Sequence, residues 1–145
     1  MSDAHTIRNL STLVRLRSSE VERLQGEVAV QSALRTRYQQ SLERLTGLYR
    51  DSGASGALPL ALSQNCGDYK QAVMALADTH RTDLSLHEAN MAISQSALNA
   101  VWAKREALDH VLAQKEKSMA STEQRRDAKR HDELATQLWF RGQVK

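Results

Sequence analysis

The first third of the chain carries a regular ladder of apolar positions. Stepping alternately three and four residues from Ile7 reaches thirteen positions up to Tyr49, ten of them apolar, and residues 7–49 contain no proline. A 3.5-residue period sustained over six heptads is typical of a helix that winds around a partner helix. The thirteen positions are Ile7, Leu10, Val14, Arg17, Val21, Leu24, Val28, Gln31, Arg35, Tyr38, Leu42, Leu45 and Tyr49.

A cluster of turn-forming residues separates this stretch from a second one. Residues 51–57 read Asp-Ser-Gly-Ala-Ser-Gly-Ala, and Pro59 follows, which predicts a helix end and a loop. No strong helix stop then appears before Gly142. The sequence therefore predicts one all-α domain over residues 1–145, an antiparallel coiled-coil hairpin. We expect helix one at about 4–51, the loop at about 52–64 and helix two at about 65–140.

Helix two has a less regular apolar seam than helix one. Its large apolar residues give a spacing of 3-4-4 around His80, which predicts local unwinding of the supercoil. The predicted seam is Leu62, Cys66, Tyr69, Val73, Leu76, His80, Leu84, His87, Met91, Ser94, Leu98, Val101, Arg105, Leu108, Leu112, Lys115 and Met119.

The two helices differ in length, so one must extend past the other. At about 1.5 Å per residue, helix one is about 70 Å long and helix two about 110 Å. If Tyr49 lies beside Cys66, antiparallel partners have numbers that sum to about 115. Ile7 then lies beside Leu108, and residues 115–145 form an overhang. This overhang is rich in charge of both signs and ends in an apolar tip, Leu134, Leu138, Trp139 and Phe140.

Composition and charge exclude several classes of protein. The net charge of +3 is too small to predict a nucleic-acid partner, and Asp127, Asp132 and Glu133 interrupt the basic cluster. A single cysteine, Cys66, excludes an internal disulfide framework, and its seam position predicts a small packing residue. Neither a signal peptide nor a membrane-spanning stretch is evident, so we expect a cytoplasmic protein without membrane insertion.

The sequence offers no pattern typical of an active site. It lacks a phosphate-binding glycine loop, a nucleophile motif and a metal-binding spacing. His80 and His87 share a seam but lie two turns apart, about 10.5 Å, which is too far for one metal ion. We therefore predict that the protein is not an enzyme and uses no cofactor or metal.

Four segments of the chain form a recognisable set: residues 45–50, 69–76, 100–108 and 125–135. The segment with Asp132-Glu133-Leu134-Ala135 is the most specific of them, and the aromatic start of the second helix is the next. Together they resemble the FliJ family, the general chaperone and stalk proteins of the flagellar export apparatus, and its virulence type III secretion counterparts.

The resemblance implies a central stalk that inserts into a hexameric export ATPase and faces a membrane export gate at its hairpin end. It also implies contacts with substrate-specific export chaperones, and peripheral association with the cytoplasmic face of the inner membrane. The ATPase-ring contacts carried over by position are Arg125, Arg126, Lys129, Arg130, Asp132 and Glu133. The export-gate contacts are Tyr69, Val73 and Leu76, for which plain seam packing is an equal alternative.

Two other functions fit the same pattern. A self-associating coiled-coil scaffold or adaptor would use the tip from Leu134 to Phe140 to close a homodimer. A nucleic-acid-associated helical protein would bind duplexes through the basic cluster with a steep dependence on salt.

Overall fold

The computed structural model describes residues 2–52 and 60–144, and these residues form two long helices. Helix α1 covers Ser2–Asp51 and helix α2 covers Leu60–Gln143, with no strand in the described ranges. The two helices pack against each other as a helical hairpin, which confirms the all-α prediction.

The helix ends follow local chemistry. At the end of α1, the backbone N–H of Ser52 donates to the carbonyl of Leu48 (3.1 Å), and the Ser52 hydroxyl donates to the carbonyl of Tyr49 (3.0 Å). These bonds satisfy carbonyls that a helix end leaves free. Helix α2 begins at Leu60 and not at about residue 65, so the predicted loop extended too far at its C-terminal end. Pro59 directly precedes this helix, and proline is favoured at helix starts. The rest of the predicted loop, residues 53–59, lies outside the described residues.

The hairpin divides into two compact units. One contains the described residues up to Glu20 and those from Val101 onward, and the other contains those between Val21 and Ala100. In the second unit the cross-helix partners show the antiparallel direction, because α2 numbers fall as α1 numbers rise. These partners are Gln31 with Ser94 (3.1 Å), Arg35 with Glu88 (2.9 Å), Tyr38 with His80 (ring centroids 6.3 Å apart) and Tyr49 with Lys70 (5.5 Å).

The ladder predicted for α1 is the seam that the structure buries. Of its thirteen positions, only Arg35 and Tyr49 are exposed, and the rest are half-buried or buried. The buried core is small all the same, because just four of the described residues are buried: Val21, Val73, Ala77 and Leu98. Such thin burial is expected of two helices that share one seam and no third layer.

The seam of α2 differs from the prediction near its start. Lys70 is half-buried and Ala77 is 3% exposed, whereas Tyr69 and Leu76 are about half exposed. With Lys70 and Ala77 in place, the spacing from Cys66 to Met119 is a continuous alternation of four and three. The predicted eleven-residue phase around His80 is therefore wrong. The prediction chose the larger apolar side chains, but the heptad phase of α1 selects their neighbours.

In the first unit, the exposed overhang is shorter than predicted. The Arg105 Nε–H donates to the Ser18 hydroxyl across the two helices (3.1 Å), and Met119 is still half-buried. Cross-helix partners here and in the other unit have numbers that sum to 118–125 rather than about 115. In the second unit, Tyr49 lies at Lys70 and not at Cys66 as predicted. The exposed stretch thus begins at Ala120 and not at Lys115.

Candidate functional site

Residues 120–144, hereafter the C-terminal segment, are exposed at every position. They continue α2 as helix up to Gln143. All six residues predicted as ring contacts lie in this segment and are open to solvent. The candidate site is therefore an exposed surface on one helix.

The C-terminal segment continues the seam of α2 with different chemistry. Extending the four-three alternation beyond Met119 reaches Thr122, Arg126, Lys129, Glu133, Thr136 and Phe140. The seam line thus changes from apolar to mostly polar and charged residues where burial by α1 ends. Three predicted ring contacts, Arg126, Lys129 and Glu133, share this line. Because the positions of this line before Phe140 are all polar or charged, the helix has little tendency to acquire a permanent hydrophobic partner along this stretch.

The charges of the C-terminal segment are mostly unpaired in the described structure. Asp127 and Arg130 form an exposed ion pair at 3.8 Å. Glu123 and Arg126 are spaced to form an ion pair, as are Lys129 and Asp132 or Glu133, but none of these pairs forms among the described residues. Exposed pairs contribute only about 0–1 kcal/mol each, so side-chain entropy is enough to keep these groups apart. Their charges remain available to a partner.

The segment ends in an apolar tip. Leu134, Leu138, Trp139 and Phe140 are each more than half exposed. The Trp139 and Phe140 rings pack edge to face, with centroids 5.3 Å apart. Aromatic side chains of this kind dominate protein interfaces because they bury large areas with few rotatable bonds.

A shallow groove marks the place where α1 begins. Asp3 and Ala4 lie on one side of it, and α2 residues between Lys115 and Arg126 lie on the other. Its volume is about 160 Å³, and Met119 is its half-buried member. The groove is the last point at which the first unit covers the seam of α2, so it sets the inner limit of the C-terminal segment.

The residues predicted as gate contacts do not form one surface. Tyr69 is 46% exposed and Leu76 is 49% exposed, and they lie two turns apart on the same side of α2. Val73 is only 7% exposed and belongs to the seam. Leu48 on α1 and Leu62 on α2 are also about half exposed at this end. Leu62 was predicted to lie in the seam with Tyr69 and Leu76, which is wrong, and Leu48 lies outside the predicted ladder of α1.

The middle of the seam in the second unit is polar. His87 Nε2 lies 2.7 Å from the carbonyl oxygen of Gln31, and the Gln31 amide donates to the Ser94 hydroxyl at 3.1 Å. The Tyr38 ring lies between both histidines, with centroids 6.3 Å from His80 and 5.7 Å from His87. Gln31 Oε1 and His80 Nδ1 are buried without a hydrogen-bond partner. This layer packs the helices by shape and specific bonds rather than by apolar area.

The described residues lack the features of two other kinds of site. No group of three or more His, Cys, Asp and Glu side chains is arranged to hold a metal ion in these ranges. Within the same ranges, neither helix contains a stretch apolar enough to cross a membrane. Cys66 is a free, half-buried thiol.

The long hairpin and its exposed C-terminal segment agree with a comparison against known families. The model of the family described as "Flagellar FliJ protein" matches residues 6–144. The chain belongs to the FliJ family. Membership assigns it to the flagellar protein export apparatus, a type III secretion system. FliJ proteins are structural and chaperone-type proteins and not known enzymes. Neither a curated protein nor a solved structure matches the chain.

Proposed function

We propose that this FliJ-family protein is a central stalk and chaperone escort of the export apparatus. Its C-terminal segment enters a hexameric export ATPase, and the loop end of the hairpin contacts the membrane export gate. The observation that carries the proposal is the exposed C-terminal segment, in which a charged line replaces the apolar seam of α2.

The chemistry of this segment suits a ring that must hold a helix without locking it. Arg126, Lys129 and Glu133 present both signs of charge along one line, and their ion pairs with a ring are individually weak. Weak exposed pairs break and re-form quickly as neighbouring subunits change state. Arg125, Arg130 and Asp132 extend the same charged surface to either side. The apolar tip from Leu134 to Phe140 supplies the stronger contact at the far end.

At the loop end, Tyr69 and Leu76 are the proposed gate contacts. Both side chains are exposed and lie on one side of α2. Val73 supports them from the seam, where it fixes the rotation of α2 against α1. Leu48 lies level with α2 residues 70–77, given the sums of 118–125, and adds apolar surface. Gate binding would hold the protein at the cytoplasmic face of the inner membrane, and substrate-specific chaperones would dock on the remaining surface.

The test is the hydrolysis rate and oligomeric size of the cognate export ATPase with and without this protein. We expect the full chain to stimulate hydrolysis and hexamer formation, and the chain truncated after Met119 to do neither. The truncation leaves the half-buried seam intact, so circular dichroism should show that the hairpin still folds.

Two charge-reversal variants make the test specific to the seam line. R126E/K129E reverses two charges on the seam line of the C-terminal segment, whereas K104E/K117E makes the same change of net charge at exposed positions before the segment. We expect only the first variant to lose stimulation. Equal loss in both variants, or stimulation that survives truncation, would contradict the stalk. No stimulation together with self-association that requires Leu134 to Phe140 would favour the scaffold.

A further inference from the structure

The first unit buries less of its seam than the second unit does. All four buried residues, Val21, Val73, Ala77 and Leu98, belong to the second unit. Among the described residues of the first unit, the best-covered seam positions are only half-buried. Because burial of apolar surface is the main force that pairs two helices in water, the first unit is the weaker part of the hairpin.

A charged seam layer lies at the inner end of the first unit. Arg17 of α1 and Arg105 of α2 are both half-buried, and their numbers sum to 122, within the range of the observed cross-helix partners. Arg17 forms its ion pair with Glu20 on its own helix (2.8 Å). Arg105 likewise pairs with Glu106 on α2 (3.0 Å), and it donates across to the Ser18 hydroxyl (3.1 Å). No ion pair between described residues of this unit joins the two helices. The layer therefore contributes less to pairing than an apolar layer would, since a guanidinium loses hydration on burial.

The outer end of the first unit is loosely packed. A groove of about 160 Å³ separates Asp3 and Ala4 of α1 from α2 side chains between Lys115 and Arg126. By the same sum of 122, Ile7 lies level with Lys115, which is exposed. Two apolar layers remain between the groove and the arginine layer. They are Leu10 with Leu112 and Val14 with Leu108, all four half-buried.

We propose that residues 2–17 of α1, hereafter the N-terminal arm, open away from α2 as one piece while the second unit stays paired. The closed arm covers α2 as far as Met119, which is why the exposed part of α2 begins at Ala120. Opening uncovers α2 from Arg105 onward and lengthens its exposed part by about fifteen residues, or about 22 Å. The arm thus controls how much of α2 a partner can reach.

The uncovered stretch adds apolar surface to a charged site. Leu108, Leu112 and Met119 lie on the seam line that continues through Arg126 and Lys129. This step rests on the proposed function, in which the C-terminal segment enters the ATPase ring. The charged line engages the ring first, through weak ion pairs. The ring then takes the place of the arm on the three apolar side chains and holds the helix more firmly. It can shift the arm because it binds the open form more tightly than the closed form.

Cysteine labelling tests the arm without any partner. In a background with Cys66 replaced by serine, L10C and V14C place thiols in the seam of the first unit, and L24C and V28C place matched thiols in that of the second. We expect a maleimide to react with both first-unit thiols at one rate, about tenfold or more above the second-unit rates. Equal rates in the two units would overturn the proposal. Fraying from the helix end would make L10C react faster than V14C, and that result would overturn it too.

An apolar replacement of the charged layer tests the cause of opening. R17L/R105L should slow the labelling of L10C toward the rate of the second-unit thiols, because two leucines pair across a seam. R15L/K104L makes the same change of net charge at exposed positions and should leave the rate unchanged. Unchanged labelling in R17L/R105L would contradict the role of the arginine layer.

A disulfide that locks the arm tests its effect on the ATPase. V14C/L108C joins level seam positions of the first unit, and V28C/S94C is the matched pair in the second unit. Oxidised V14C/L108C should stimulate the cognate ATPase about fivefold less than its reduced form, whereas oxidation of V28C/S94C should change nothing.

The outcomes separate this proposal from the stalk. Full stimulation with the arm locked would overturn the regulation. If the chain without substitutions fails to stimulate, the stalk proposal fails and the regulatory step fails with it. The labelling rates decide in either case whether the arm opens, because they are measured without the ATPase.

Discussion

At the residue scale, the polar layer in the middle of the seam sets how the two helices meet. Gln31 bonds Ser94 through its side chain and His87 through its carbonyl, and these bonds are satisfied only in one register. An apolar seam would be more stable but would tolerate slippage by a heptad. The layer therefore lowers stability in exchange for a fixed alignment of the two helices within the second unit.

This trade gives a prediction for Gln31. Q31L removes an amide oxygen that is buried without a partner and adds apolar area, so the free energy of unfolding should rise by about 1 kcal/mol. Q25L makes the same change at an exposed position on α1 and should stay within about 0.5 kcal/mol of the parent. Urea denaturation followed by circular dichroism measures both. A lower midpoint for Q31L would mean that the bonds of this layer contribute more than its burial costs.

At the element scale, α2 is one helix with two different environments. Up to Met119 its seam packs against α1, and from Ala120 onward no described residue is buried. Helices without tertiary packing are only marginally stable in water, so the two parts differ in stability although the backbone is continuous. The sequence predicted the existence of this exposed part from the unequal helix lengths. It placed its start five residues too early, because the pairing of Tyr49 depends on contacts across the hairpin.

Hydrogen exchange should reveal the difference along α2. We expect amides of residues 120–143 to exchange much faster than those around Val73, Ala77 and Leu98, which are buried. Addition of the cognate ATPase should slow exchange in the C-terminal segment and leave the seam unchanged. As a control, the chain truncated after Met119 should keep the protected seam amides. Uniform protection along α2 in the free protein would contradict this view of the segment.

At the scale of the whole molecule, the protein consists mostly of surface. A fully unfolded chain of this mass exposes about 23,500 Å², so folding to 11,465 Å² buries about three quarters of what a compact fold would bury. This geometry leaves most of both helices open to contact. A partner that covered the apolar and charged surfaces of the folded chain would therefore raise its stability.

The denaturant dependence of unfolding should report this area. Since the m-value scales with the surface exposed on unfolding, we expect a value near three quarters of that of a compact 145-residue protein. The measurement belongs at a concentration where the protein sediments as a monomer, so that self-association does not contribute. An m-value equal to that of a compact protein would mean that the free chain buries more surface than the hairpin does.

The sequence by itself determined the helical class, the seam of α1 and the resemblance to FliJ, because each is written in local spacing and residue type. It did not determine which residues of α2 face α1. Tyr69 and Leu76 are larger and more apolar than Lys70 and Ala77, yet the latter pair lies in the seam. Lys70 reaches over the Tyr49 ring, and Ala77 lies level with the half-buried Leu42 and Leu45. The fit between two facing surfaces made this choice, and only the tertiary structure contains both surfaces at once.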